Sequence, residues 1–114
     1  MDYVLVVDDD PAFCERIVAF LQELLPGHDV VAVGDGNAAL TRALELRPKH
    51  VILDVSMPGP NGLRVANALT QALPSTNIVI VSGSEELSPV DVPAGTVYVR
   101  KDERMEDTLR ALLT

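Results

Sequence analysis

With 114 residues and a single cysteine, Cys14, the chain fits one domain over residues 1–114, and it offers neither an internal disulfide nor a zinc-ligand spacing. The formal net charge of −8 excludes the basic footprint of a nucleic-acid binder and suits a cation or a basic protein surface instead. No apolar run approaches the ~20 residues of a membrane span and the N-terminus lacks a signal-peptide pattern, so a cytoplasmic protein contacting neither membrane nor nucleic acid is expected.

The first apolar run, YVLVV (3–7), predicts a strand that ends against Asp8, Asp9 and Asp10. Asp10 before Pro11 reads as a helix N-cap followed by proline at the first helical position. Behind it Phe13, Ile17, Phe20, Leu21 and Leu24 fall on one helical face. DVVAV (29–33) predicts a second strand, and Leu40, Ala43 and Leu44 mark a second helix ending near Pro48. VIL (51–53) leads into Asp54, and Leu63, Ala66, Leu69 and Leu73 mark a third helix ending near Pro74. NIVIV (77–81) runs into Ser82, TVYV (96–99) runs into Arg100 and Lys101, and Met105, Leu109 and Leu112 mark the last helix. The crossover GSEELSPVDVPAGT (83–96) breaks the pattern. Pro89 and Pro93 each remove a helix donor and disfavour helix in the residue before them, so the fourth helix is expected to be short or irregular.

The apolar runs are nearly continuous rather than alternating, which suits strands buried on both faces of a parallel sheet. Strand and helix alternate about five times, so the fold class is α/β. The flavodoxin-like arrangement is expected: five parallel strands in the order 2-1-3-4-5, with helices on both faces.

In such sheets ligands sit beyond the carboxyl ends of the strands. The runs there end in Asp8 and Asp9, in Asp54, in Ser82, and in Arg100 and Lys101, which directs carboxylates, a hydroxyl and an ammonium to one edge. Converging carboxylates repel unless a cation joins them. With only oxygen ligands in the set, the cation expected is hard: Mg2+, or a similar ion such as Mn2+. A carboxylate beside it can attack phosphorus to form an aspartyl phosphate, with Lys101 neutralising phosphoryl oxygens and Ser82 donating a hydrogen bond. Cys14 on the first helix reads as an inert thiol, and His28 and His50 beside strand starts receive no role.

Four segments in order resemble the receiver domain of two-component response regulators, and the likeness covers essentially the whole chain. VLVVDDDP resembles the acidic pair after the first strand, and LDVSMPGPNG the phospho-acceptor segment with Met57-Pro58 and Gly62 in place. IVIVSG resembles the hydroxyl-bearing strand end, and VYVRK the terminal lysine segment. The resemblance implies that Asp54 is phosphorylated, that Asp9 binds Mg2+ directly and Asp8 through water, and that Asp54 and the Ser56 backbone carbonyl complete the protein's ligands. It implies that Lys101 and Ser82 stabilise the phosphoryl group, and that Ser82 and Tyr98 form the switch. It implies a sensor histidine kinase or a histidine phosphotransfer protein as partner, with a homodimer on activation as a further expectation. The chain departs from the family where Ser82 and Lys101 stand only 19 residues apart, and where Asp102 replaces the more common proline.

An aspartate-nucleophile phosphohydrolase of the haloacid dehalogenase type is the alternative. VVDDDP supplies its Asp-x-Asp after a strand, and Asp8 would be the nucleophile. That reading leaves Asp54 without a task, and Ala12 stands where the family has Thr or Val.

Overall fold

The computed structural model describes residues 2–56, 62–83 and 92–114. Strands β1 (Asp2–Val7), β2 (His28–Val33), β3 (His50–Asp54), β4 (Asn77–Ser82) and β5 (Thr96–Arg100) alternate with helices α1 (Pro11–Leu24), α2 (Gly36–Leu46) and α3 (Gly62–Ala72), and α4 (Met105–Leu113) follows β5. The strands form one sheet in the order β2-β1-β3-β4-β5, every pairing parallel. The expected flavodoxin-like architecture is therefore observed. The expected short or irregular helix between β4 and β5 falls on residues 84–91, outside the described residues.

Strand periodicity divides the core into two layers. Val4, Val6, Ile52, Val79, Val81 and Val99 face α1 and α4, packing on Phe13, Ile17, Leu21, Met105, Leu109 and Leu113. Leu5, Val7, Val51, Leu53, Ile78 and Ile80 face α2 and α3, packing on Ala39, Ala43, Val65, Ala66 and Leu69. Both layers draw on the same strands, so β1, β3 and β4 are apolar on both faces and read as unbroken Val/Ile/Leu runs.

Three sequence expectations need correction. Burial on both faces holds for the central strands but not for β2 and β5, whose Asp29, Ala32, Val97 and Arg100 are exposed. These are the sheet edges, with a paired neighbour on one side only. Leu44 does not face the core: it is 52 % exposed, and α2 turns Gly36, Ala39 and Ala43 to the sheet. Small residues there let α2 lie close to the sheet beside α3. In α4 the buried row is Met105, Leu109 and Leu113, whereas Leu112 is 41 % exposed. Rows of Leu and Ala fit more than one helical phase, and the neighbouring elements select one.

The α1 start is as expected. Asp10 accepts from Ala12 N and Phe13 N, and Pro11 opens the helix without a donor to satisfy. Before β5, Thr96 donates from its backbone to Pro93 O at 3.2 Å, closing a turn in which Gly95 has φ 87°. An L side chain is disfavoured at that angle.

Candidate functional site

The consecutive aspartates after β1 have different surroundings. Asp8 continues the ladder, donating from its backbone to Val33 O at 3.1 Å, and is buried. Its Oδ1 accepts from Asp10 N at 2.9 Å, which turns the chain. Asp9 is exposed, and Asp10 caps α1.

Asp54 ends β3 and is buried; Asp9 reaches it from the neighbouring strand end. Asp8, Asp9 and Asp54 each offer a carboxylate oxygen, and these atoms all lie within 4.8 Å of one another. The Asp54 Oδ1 accepts from Ser56 N at 2.8 Å and from Ser56 Oγ at 2.7 Å. Ser56 Oγ also lies 3.3 Å from Ser82 Oγ, at the buried end of β4.

Lys101 closes the arrangement from β5. Its backbone donates to Ser82 O at 3.0 Å, one residue past the strand. Its Nζ donates to Asp8 Oδ2 at 2.7 Å and to Asp54 Oδ2 at 3.4 Å. The same Nζ stands 3.9 Å from the centroid of the Phe13 ring. Tyr98 is half-buried and opposite Ile80 in the β4–β5 register, while Ser82 is opposite Arg100. By strand periodicity Tyr98 and Ser82 share the face packed on α2 and α3.

The electrostatics follow from this packing. Burial pushes the Asp8 carboxyl above the ordinary carboxylate range; the Lys101 and Asp10 hydrogen bonds oppose the rise, and the Asp54 charge adds to it. Burial alone would push Lys101 down, but the Asp8 hydrogen bond and the charges of Asp54 and Asp8 hold its pKa above that of an ordinary lysine. Lys101 is thus a fixed positive charge, shared by two carboxylates that repel each other. Burial, then the charges of Asp8 and Asp10, also raise the Cys14 thiol, which stays protonated with Sγ 3.2 Å from Asp8 O.

The residues Asp8, Asp9, Asp54, Ser82 and Lys101, picked from the strand ends, are brought together. Tyr98 lies two pairs back on β5, and the Met57-Pro58 part of the acceptor segment lies outside the described residues. Two side chains were missed. Ser56 entered the sequence reading only through its carbonyl, although a serine two residues after an aspartate signals a local side-chain turn. Phe13 was assigned to the core face of α1, and nothing local marks it as a neighbour of a lysine far away in sequence. A separate cleft of about 350 Å3 opens at the other end of the sheet, lined by residues that include Asp2, Arg47, Lys49 and Ser75, away from these carboxylates.

The family model for the response regulator receiver domain matches residues 4–109. The DNA-binding response regulator MtrA of Mycolicibacterium smegmatis is 39 % identical over 92 residues, which are 81 % of this chain and 38 % of that protein. Protein-glutamate methylesterase/protein-glutamine glutaminase 5 of Myxococcus xanthus is 39 % identical over 92 residues, covering 80 % of this chain and 26 % of that protein. The chain thus spans well under half the length of these two relatives. Among solved structures, the complex of histidine kinase ThkA with response regulator TrrA matches with TM-score 0.80 and 30 % identity, covering 100 % of both chains. TrrA of Thermotoga maritima with Mg(2+)-BeF matches with TM-score 0.79 and 28 % identity, covering 99 % of this chain and 100 % of the other.

Proposed function

This chain belongs to the response regulator receiver domain family, and from that premise we propose that it accepts a phosphoryl group on Asp54 within a two-component phosphorelay. The observation that carries this reading is the convergence of Asp8, Asp9 and Asp54 within 4.8 Å under the ammonium of Lys101. The module is a stoichiometric signalling acceptor that promotes its own phosphorylation and dephosphorylation, rather than an enzyme acting on a metabolite.

The donor set fits Mg2+: three carboxylates, two of them buried, and among the described residues no nitrogen or sulfur ligand grouped with them. Asp9 would hold the ion directly, Asp8 through water, and Asp54 and the Ser56 carbonyl would complete the protein's share. When bound, the ion neutralises negative charge on the phosphoryl oxygens.

Within the chain, Ser56 holds Asp54 Oδ1 with two hydrogen bonds, which leaves Oδ2, on the Lys101 side, to attack phosphorus. A P–O bond to Asp54 forms while the P–N bond of the donor's phosphohistidine breaks, the imidazole nitrogen leaving with the electron pair. Lys101 pairs with the incoming oxygens. Hydrolysis reverses the acceptor's role: water adds to phosphorus and the Asp54 carboxylate leaves.

The phosphodonor is a sensor histidine kinase or a histidine phosphotransfer protein. The match to TrrA, solved with the histidine kinase ThkA, supports a partner of that kind. Phosphorylation draws the Ser82 hydroxyl toward the new charge, and Tyr98, on the same sheet face, follows into the space. Inverting a 1:99 equilibrium needs about 5.5 kcal/mol, more than the ~1–3 kcal/mol of one hydroxyl hydrogen bond. A protein partner, in this reading a second copy in a homodimer, completes the shift.

The haloacid dehalogenase alternative falls with the family match. Asp8, its nucleophile, is buried with Oδ1 on Asp10 N and Oδ2 on Lys101. The test is incubation with acetyl phosphate and Mg2+, borohydride trapping and peptide mass spectrometry. The label is expected on Asp54 and lost in Asp54→Asn; a label on Asp8 would sink the proposal.

A further inference from the structure

We propose that Phe13 is a positioning residue for Lys101: its ring face is the seat that keeps the ammonium at the site when a divalent cation and a phosphoryl group take over the neighbouring carboxylates. The inference rests on reading the site as a phosphoryl acceptor, and it concerns a residue outside the acidic and hydroxyl set.

Lys101 Nζ lies 3.9 Å from the Phe13 ring centroid, well inside the ~6 Å over which a ring quadrupole attracts a cation. Two facts make the ring a fixed partner. Phe13 stands in the first turn of α1, where the Asp10 cap accepts from its backbone N–H at 3.4 Å. Its side chain also belongs to the buried layer between the sheet, α1 and α4. Lys101, by contrast, reaches in on a flexible stem with a side chain 21 % exposed.

Among the described residues, the other two anchors of the ammonium are the groups that change state. Asp8 Oδ2, at 2.7 Å, belongs to the cation-binding cluster, and Asp54 Oδ2, at 3.4 Å, belongs to the acceptor. A divalent ion on these carboxylates offsets their charge and repels the ammonium. The attraction of the ring does not depend on their charge, because it comes from the ring's own electron distribution. Phe13 therefore holds Lys101 through the interval between cation binding and phosphoryl arrival. The ring carries no oxygen donor for the cation or the phosphoryl group and is not one of the clustered carboxylates, so its influence runs through Lys101.

The test replaces Phe13 with mono-, di- and trifluorophenylalanine, which keep the ring's shape while draining its face, together with Phe13→Leu. Two readouts separate this proposal from the phosphorylation reading. In the unmodified chain the Lys101 ε-methylene protons should be shifted upfield by the ring in NMR spectra, and should stay so through a Mg2+ titration. Across the fluorinated series the rate of phosphorylation by acetyl phosphate at saturating Mg2+ should fall stepwise, by about tenfold in the trifluoro variant. Phe13→Leu should match that variant, and Mg2+ affinity should not fall, because an ammonium released from the ring repels the ion less. A rate independent of fluorination, or an upfield shift lost once Mg2+ is added, overturns the proposal and leaves Phe13 as core packing. If no variant and no native chain is phosphorylated, the acceptor reading fails, while the NMR series still decides whether the ring seats the lysine.

Discussion

Lys101 and Asp8, 93 residues apart, are joined by a 2.7 Å hydrogen bond that ties the end of the edge strand β5 to the end of the central strand β1. The bond passes over the ends of β4 and β3, and the same ammonium reaches Asp54 at 3.4 Å on the way. In the metal-free chain, Lys101 is therefore the cation that offsets the repulsion between buried carboxylates.

Lys101→Met follows from that role. Removing one partner of a buried pair leaves Asp8 and Asp54 facing each other, so the metal-free fold should lose about 3 kcal/mol. With the competing charge gone, Mg2+ affinity should rise by roughly tenfold. Urea unfolding with and without Mg2+ measures both. Unchanged metal-free stability together with unchanged affinity contradicts the role given to the lysine.

The adjacent aspartates should separate by function. At ~100 times its dissociation constant, Mg2+ should stabilise the native chain by about 2.7 kcal/mol. Asp9→Ala should remove most of that gain. Asp10→Ala should keep the gain but lower stability by about 1 kcal/mol at any Mg2+ concentration, because it removes the α1 cap. Thermal melts over a Mg2+ series distinguish the two, and a gain that survives Asp9→Ala would refute the ligand assignment.

Gly62→Ala should damage the site from outside it. A Cβ at Gly62 would meet Val55 Cα at 2.6 Å and Val55 Cβ at 2.8 Å. Val55 follows Asp54 and donates from its backbone to Val81 O at 3.2 Å, so the clash must move either the α3 start or the β3 end. A loss of roughly 1–3 kcal/mol is expected, with a reduced phosphorylation rate. Full stability in urea would show that α3 can shift freely.

At the opposite end of the sheet, His50 should set an acid limit. Burial first, then the charges of His28 and Lys49, lower its pKa below the ordinary histidine value, with Asp2 opposing. Its Nδ1 meets Asn77 Nδ2 at 3.2 Å, and the His28 ring centroid lies 5.9 Å away. A depressed histidine pKa means the unfolded state binds more protons as pH drops. The contribution is therefore complete above ~6.5 and is lost as pH falls from there through the folded value. Urea midpoints between pH 7.5 and 5.5 should fall for the native chain and fall less for His50→Gln. Parallel curves would remove His50 from the account.

Local chemistry made much of this molecule readable. YVLVV, VIL and NIVIV are short, rich in β-branched residues and bounded by turn or charged residues, which favours strand over helix and made the strands legible. Asp10-Pro11 signals a helix start within a few residues, and Asp10 is indeed the cap. The acidic, hydroxyl and ammonium groups were visible because each stands within two residues of the end of an apolar run. Helical phase was less legible: Ala43 and Leu44 are both apolar, and only the packing of α2 beside α3 selects Ala43.

What the sequence determined by itself was the set of elements and the residues at their ends, because propensity, capping and periodicity act over a few neighbouring positions. The strand order was expected from the alternation of strands and helices and is observed; the tertiary structure decided which side chains meet within that order. It left the apolar runs of the edge strands β2 and β5 only partly buried. It brought Asp8 rather than Asp54 closest to Lys101, laid Phe13 under that ammonium, and joined Ser56 to both Asp54 and Ser82. These contacts link residues up to 93 positions apart, and their distances are set by sheet order and parallel register, which no local pattern encodes.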